Sequence, residues 1–161
     1  MMVAMRSAAI SVSLLAVVVA APVAQSPDAR VRGIVDGPKF KQAIAFIQSD
    51  QDRFVRDLIA LTEIPSPPFK EQARAKAFLE MLRQVGLSDV EMDAEGNVMG
   101  TRRGTGPAGG PLLVVNAHLD TVFPEGTDVK VKRQGTRLMA PGIGDDTRGL
   151  ALVLALVRTL D

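Results

Sequence analysis

The chain contains one histidine, His118, and no cysteine. Thiolate metal sites, disulfides and a cysteine nucleophile are therefore excluded, and imidazole chemistry has a single address. His118 sits in Asn116-Ala117-His118-Leu119-Asp120-Thr121-Val122, directly after the apolar run Leu112-Leu113-Val114-Val115. In an extended segment His118 and Asp120 project to the same side, because side chains alternate along a strand. Imidazole is the commonest protein metal ligand, and its second ring nitrogen usually needs a carboxylate or carbonyl to fix the tautomer. Asp120 is of the right type for that partner if the chain turns sharply after Leu119. Taken alone, the short His-x-Asp pattern fits a structural histidine, hydrogen-bonded to a nearby loop, better than a ligand.

A second cluster reads Pro141-Gly142-Ile143-Gly144-Asp145-Asp146-Thr147-Arg148-Gly149. It places two carboxylates in a glycine-flanked loop before an apolar stretch. One reading is an ordinary helix N-cap, supplied by Asp146 or Thr147, since a helix start favours anions. The other is a cation pocket, with Gly142 and Gly144 permitting close backbone approach.

The elements that must position these residues follow from periodicity. Phe40, Ala43, Ile44 and Ile47 have helical spacing. Ser49 with Asp52 three residues on resembles a capping arrangement for a helix carrying Phe54, Leu58 and Leu61. Ile64-Pro65-Ser66-Pro67-Pro68 ends that helix, because proline disfavours helix in the residue before it. Lys70–Val85 predicts an amphipathic helix with Ala75, Phe78, Leu82 and Val85 on one face, Glu71, Arg74 and Arg83 off it, and Gly86 as its C-cap. Val90 and Met92 alternate with charged residues, and Glu95-Gly96-Asn97 turns the chain into a return strand at 98–101. Leu112–Val115 predicts a strand buried on both faces. Val129–Lys132 and Arg137–Met139 flank Gln134-Gly135 as a hairpin, its Lys130, Lys132 and Arg133 forming a solvated edge. Gly149–Leu160 predicts a buried helix packed on the sheet. Together these give an α/β sandwich with a mixed sheet. In such folds the site lies beyond the carboxyl ends of the strands, where the polar residues fall here.

Composition removes several function classes. Nineteen Lys and Arg against eighteen Asp and Glu leave a net charge of +1, which gives no electrostatic case for nucleic acid. The glycine-rich stretch Arg102–Gly110 is no phosphate cradle, for it lacks a Gly-Lys-Ser/Thr ending and starts no helix. No Gly-x-Ser-x-Gly is present, and Ser66 lies in a proline-rich turn, against a serine hydrolase. The start of the chain is a separate matter. Arg6 precedes an almost wholly apolar or small-residue stretch, Ser7–Val23, and small residues close it. That order predicts a secretory signal peptide over residues 1–24, cleaved after Ala21 or Ala24, and hence a secreted or periplasmic protein. A retained anchor is the competing reading, but the run is short of the ~20 residues a spanning helix needs. Residues 25–37, with Pro27, Gly33 and Gly37, read as a linker, and 38–161 as the folded domain.

From about Asp50 onward the chain resembles the catalytic domain of the M20 family of metallopeptidases, which includes glutamate carboxypeptidases, tripeptide aminopeptidases and N-acyl amino acid deacylases. The resemblance rests on Ile64-Pro65-Ser66-Pro67, on Val114 to Pro124 with its His-Leu-Asp-Thr-Val core, and on Pro141-Gly142-Ile143-Gly144-Asp145-Asp146 before an apolar helix. It implies a zinc exopeptidase fold and a pair of zinc ions, replaceable by cobalt. His118 would ligate one metal, Asp145 would bridge both, and Asp120 would be the catalytic-site group that orients His118. Asp146 would be a neighbour; in some members the bond between the two aspartates is cis. The substrate would be a peptide or an N-acyl amino acid. Thr147-Arg148-Gly149 departs from the Lys-Gly-Gly-like sequence of many members, which leaves the subfamily open. The family's general base is the first of two consecutive glutamates, followed by a further acidic ligand and a distant histidine. This sequence holds none of them, so the resemblance implies an N-terminal part of the domain, incomplete at its C-terminus and inactive alone. The alternative is a non-catalytic exported module that keeps the fold for binding or scaffolding.

Overall fold

The computed structural model describes residues 26–106 and 109–160. The expected signal peptide at 1–24 lies outside these residues. The first element is α1, Pro27–Val35, so the segment expected to be a linker is helical. Ser26 accepts a hydrogen bond from the Ala29 amide and Pro27 starts the helix, where its missing N–H costs nothing. None of its residues is buried, so it adds no core.

Helix α2, Pro38–Ser49, and α3, Gln51–Thr62, follow almost without a break. Ser49 does not cap α3. Its hydroxyl donates back to the Phe46 carbonyl at 2.8 Å, the local bond a serine makes at a helix end. Helix α4 spans Gln72–Gln84 and closes at Gly86, whose φ of 80° turns the chain so that the Leu87 N–H reaches the Leu82 carbonyl. Strands β1, Ser88–Met92, and β2, Val98–Thr101, form an antiparallel hairpin. Strands β3, Lys132–Gln134, and β4, Arg137–Met139, form a second, turning at Gly135. Helix α5, Arg148–Thr159, ends the described chain.

One cluster makes the core: Leu61 of α3, Phe78 and Leu82 of α4, Val85, and Leu150, Leu154 and Val157 of α5. Val90 and Val98 of the first hairpin pack on its margin. Helix α5 is thus seated against α3 and α4, not on a sheet as its apolar sequence predicted. The general α/β character holds, with helices and small antiparallel sheets. The mixed sheet does not form among the described residues, where the strands make two separate hairpins.

The difference centres on Leu112–Val115. The run predicted a strand buried on both faces, but Leu112 is 88% exposed and Leu113 83%. An isolated strand cannot satisfy its own backbone, and no neighbour pairs with this segment among the described residues. An open cleft of about 800 Å³ separates it from α4 and the first hairpin. No helix among the described residues is long and apolar enough to cross a membrane.

Candidate functional site

His118 and Asp120 lie on the irregular segment that continues from Leu112–Val115. Asp145 and Asp146 lie in a tight turn over Ile143–Thr147, closed by a bond from the Thr147 amide to the Gly142 carbonyl. Gly142 is required there twice over. Its φ is 75°, and a Cβ would come within 2.5 Å of Thr121 Cγ2. Close approach at this glycine brings the two segments together. Gly144, expected to serve the same end, faces open space.

The turn meets the histidine directly. His118 Nε2 is 2.9 Å from Asp145 Oδ1, and Nδ1 is 3.0 Å from Asp120 Oδ1 and 3.1 Å from the Asp120 carbonyl. Both ring nitrogens therefore face carboxylate oxygens, an arrangement that a doubly protonated ring satisfies fully. Burial pulls the His118 pKa down, but the bonds to Asp145 and Asp120 outweigh it and hold the ring above its ordinary value. Asp145 is the open member, its side chain 86% exposed, whereas that of His118 is 49% exposed.

Asp146 is turned to the backbone. Its Oδ2 accepts from the His118 amide at 3.3 Å, and its Oδ1 accepts from the Gly149 amide at 3.2 Å, in the first turn of α5. One carboxylate thus links the start of α5 to the segment that carries the histidine. Of the two capping candidates, Asp146 does the capping; Thr147 Oγ1 is buried without a partner. The Asp145–Asp146 peptide is cis.

One further residue is obscured in the sequence by its charge. Arg74, read as lying off the apolar face of its helix, is fully buried. Its Nη1 donates to the Leu119 carbonyl at 2.9 Å and its Nη2 to the Ile64 carbonyl at 2.7 Å. Burial pushes its pKa down to about 10, against the pull of Asp120, so it stays charged at neutral pH. The signal was present: positions 74, 78, 82 and 85 recur at helical spacing, so Arg74 shares the face of Phe78 and Leu82.

A metal fits the donor chemistry of His118 and Asp145. Imidazole nitrogen and carboxylate oxygen are both zinc donors, and at about 2.0–2.1 Å from a tetrahedral ion they stand roughly 3.3 Å apart. The observed 2.9 Å is close to that separation. Any proton shared along that line would have to leave before a metal could bind between the two groups. Among the described residues no group of three or more His, Cys, Asp or Glu is arranged to hold a metal.

Residues 97–161 match peptidase family M28, a family of zinc-dependent peptidases. The matched span contains His118, Asp120, Asp145 and Asp146. The uncharacterized protein YgeY of Escherichia coli K12 is 40% identical over 75 residues, covering 47% of this chain and 17% of YgeY. A Pyrococcus abyssi protein, assigned provisionally as a LysW-lysine/LysW-ornithine hydrolase, is 34% identical over 110 residues, covering 68% of this chain and 30% of that protein. The chain spans less than a third of the length of these curated relatives. The matching model is that of M28, where the motifs alone resembled M20; both support metal-dependent peptide hydrolysis.

Proposed function

We propose that this chain supplies His118 and Asp145 to the metal centre of a zinc-dependent exopeptidase or amidohydrolase of the M20 type, acting on a peptide or N-acyl amino acid after export. The observation that supports it is the grip on His118, held between Asp120 and Asp145 at 3.0 and 2.9 Å. When bound, zinc supplies Lewis acidity, polarising the scissile carbonyl and lowering the pKa of water. The protein groups have distinct tasks. Asp120 accepts the Nδ1 proton and holds the ring so that Nε2 faces Asp145. Asp145, open to solvent, offers carboxylate oxygens on the same side. Asp146 fixes the spacing of the two segments through backbone amides. The general base and the remaining donors are other groups, which the resemblance assigns to paired glutamates and a histidine absent from this sequence. The name of the Pyrococcus relative, a LysW-lysine/LysW-ornithine hydrolase, supports a hydrolytic reaction.

Cobalt titration followed by visible absorption tests the centre. Asp145→Ala should weaken binding by at least the roughly 10–100-fold typical of groups that only support a ligand. Unchanged binding would remove Asp145 from the site. The chain alone should show no chelator-sensitive hydrolysis of a dipeptide and N-acyl amino acid panel. Turnover lost on adding chelator and in Asp145→Ala would show that the base and all donors lie within it. Export is tested by N-terminal sequencing of secreted material, which should begin at Pro22 or Gln25; an intact Met1 in the membrane fraction would mean an anchor.

A further inference from the structure

The peptide between His118 and Asp120 is held from behind by two buried donors to which the proposed chemistry gives no task. The Leu119 carbonyl accepts from Ser66 Oγ at 2.8 Å and from Arg74 Nη1 at 2.9 Å. The Ser66 carbonyl in turn accepts from the Thr121 amide at 2.8 Å and from Thr121 Oγ1 at 3.2 Å. Through Arg74 Nη2 the Ile64 carbonyl joins the same knot. The proline-rich turn, helix α4 and residues 119–121 are therefore tied at one point. Arg74 and Ser66 are 0% and 2% exposed.

Packing alone does not call for a cation here. Position 74 stands on the face of Phe78 and Leu82, where an apolar side chain would pack without the cost of desolvating a guanidinium. The guanidinium spends its bonds on two carbonyls, and one of them belongs to the residue flanked by the two site side chains. A peptide unit is planar, so holding the Leu119 carbonyl fixes the plane linking residues 119 and 120. Successive side chains leave an extended backbone on opposite sides. A grip on the 119 carbonyl therefore constrains where Asp120 and, through the preceding torsions, His118 are aimed.

We propose that Arg74, acting with Ser66, is a positioning residue of the metal site: by holding the Leu119 carbonyl it sets the directions of His118 and Asp120 toward Asp145. The proposal rests on the metal-site reading above. Its test is calorimetric zinc titration of the whole chain, unsubstituted and as Arg74→Met, Arg74→Lys, Ser66→Ala and the core control Val157→Ala, each with its unfolding curve. Arg74→Met should lose about 10–100-fold in zinc affinity, the range found when groups supporting a ligand are removed. Arg74→Lys, able to reach one carbonyl, should recover part of it. Val157→Ala should lose stability and keep its zinc affinity. If Arg74→Met does not fold, Ser66→Ala removes one of the two donors to the same oxygen and should itself lower affinity several-fold. Zinc affinity unchanged in both Arg74→Met and Ser66→Ala, or lowered equally in Val157→Ala, would overturn the positioning role. An unsubstituted chain that binds no zinc would instead overturn the metal-site reading, and this role with it.

Discussion

Arg158→Met is expected to destabilise the chain by about 3–5 kcal/mol, the loss typical when one partner is removed from a buried ion pair. Arg158 donates from Nε and Nη2 to Asp50 Oδ2, at 2.8 and 2.6 Å, and from Nη1 to Asp57 Oδ2 at 2.9 Å. The three side chains are only 5%, 10% and 18% exposed. The arginine pins the last turn of α5 to the α2–α3 junction and to the middle of α3. Methionine keeps much of the apolar stem, so the loss falls on the two carboxylates, which are left near each other without a cation. The triple variant with Asp50→Asn and Asp57→Asn should regain a large part of the stability, since removing all the buried charge is often nearly neutral. Urea denaturation at constant slope measures both. A loss below about 1 kcal/mol would place the cluster with exposed ion pairs.

That cluster also shows what the sequence hides. Arg158 stands in a run of Leu, Val and Ala, and nothing local says that its partners lie at positions 50 and 57. Periodicity found α2 to α5 and both hairpins, since those patterns are set by which face each element buries. It missed α1, whose Val31, Ile34 and Val35 are exposed, so no buried stripe announces a helix. It over-read Leu112–Val115, because an apolar run reports what a segment would bury and not whether a neighbour is there to bury it.

The site was legible in halves. The residue types around His118 and around Asp145 each allowed metal chemistry, and each also allowed a bland structural role. Their meeting depends on contacts that no linear pattern encodes. Gly142 seats against Thr121, Asp146 bonds the His118 amide, and the buried Arg74 holds the Leu119 carbonyl. The first of these had a partial signal in the glycine-rich loop. The last had one in the helical spacing of position 74, obscured because a charged residue is ordinarily assigned to the solvent face.

The residues proposed for chemistry and those that hold the fold are largely different, and His118→Ala should separate them. Zinc affinity is expected to fall by more than about 100-fold, beyond the upper range for a supporting group, because the imidazole is itself a donor. Folding stability should change by no more than about 0.5 kcal/mol, as for other partly exposed positions. The imidazole is half-exposed, and its partners are two carboxylates that water can solvate when it is gone. The bonds that place this segment, from the His118 amide to Asp146 and from Ser66 and Arg74 to the Leu119 carbonyl, do not involve the ring. Asp120→Asn should show a smaller loss, about 10–100-fold, because an amide oxygen still accepts the Nδ1 proton but with less charge. Competition against a zinc-chelating dye, alongside urea unfolding of the same samples, reads both quantities. An affinity within tenfold of the unsubstituted chain would mean that the histidine is structural. A large loss of stability with His118→Ala would carry the same meaning, since a side chain so exposed can matter that much to folding only through contacts unrelated to a metal.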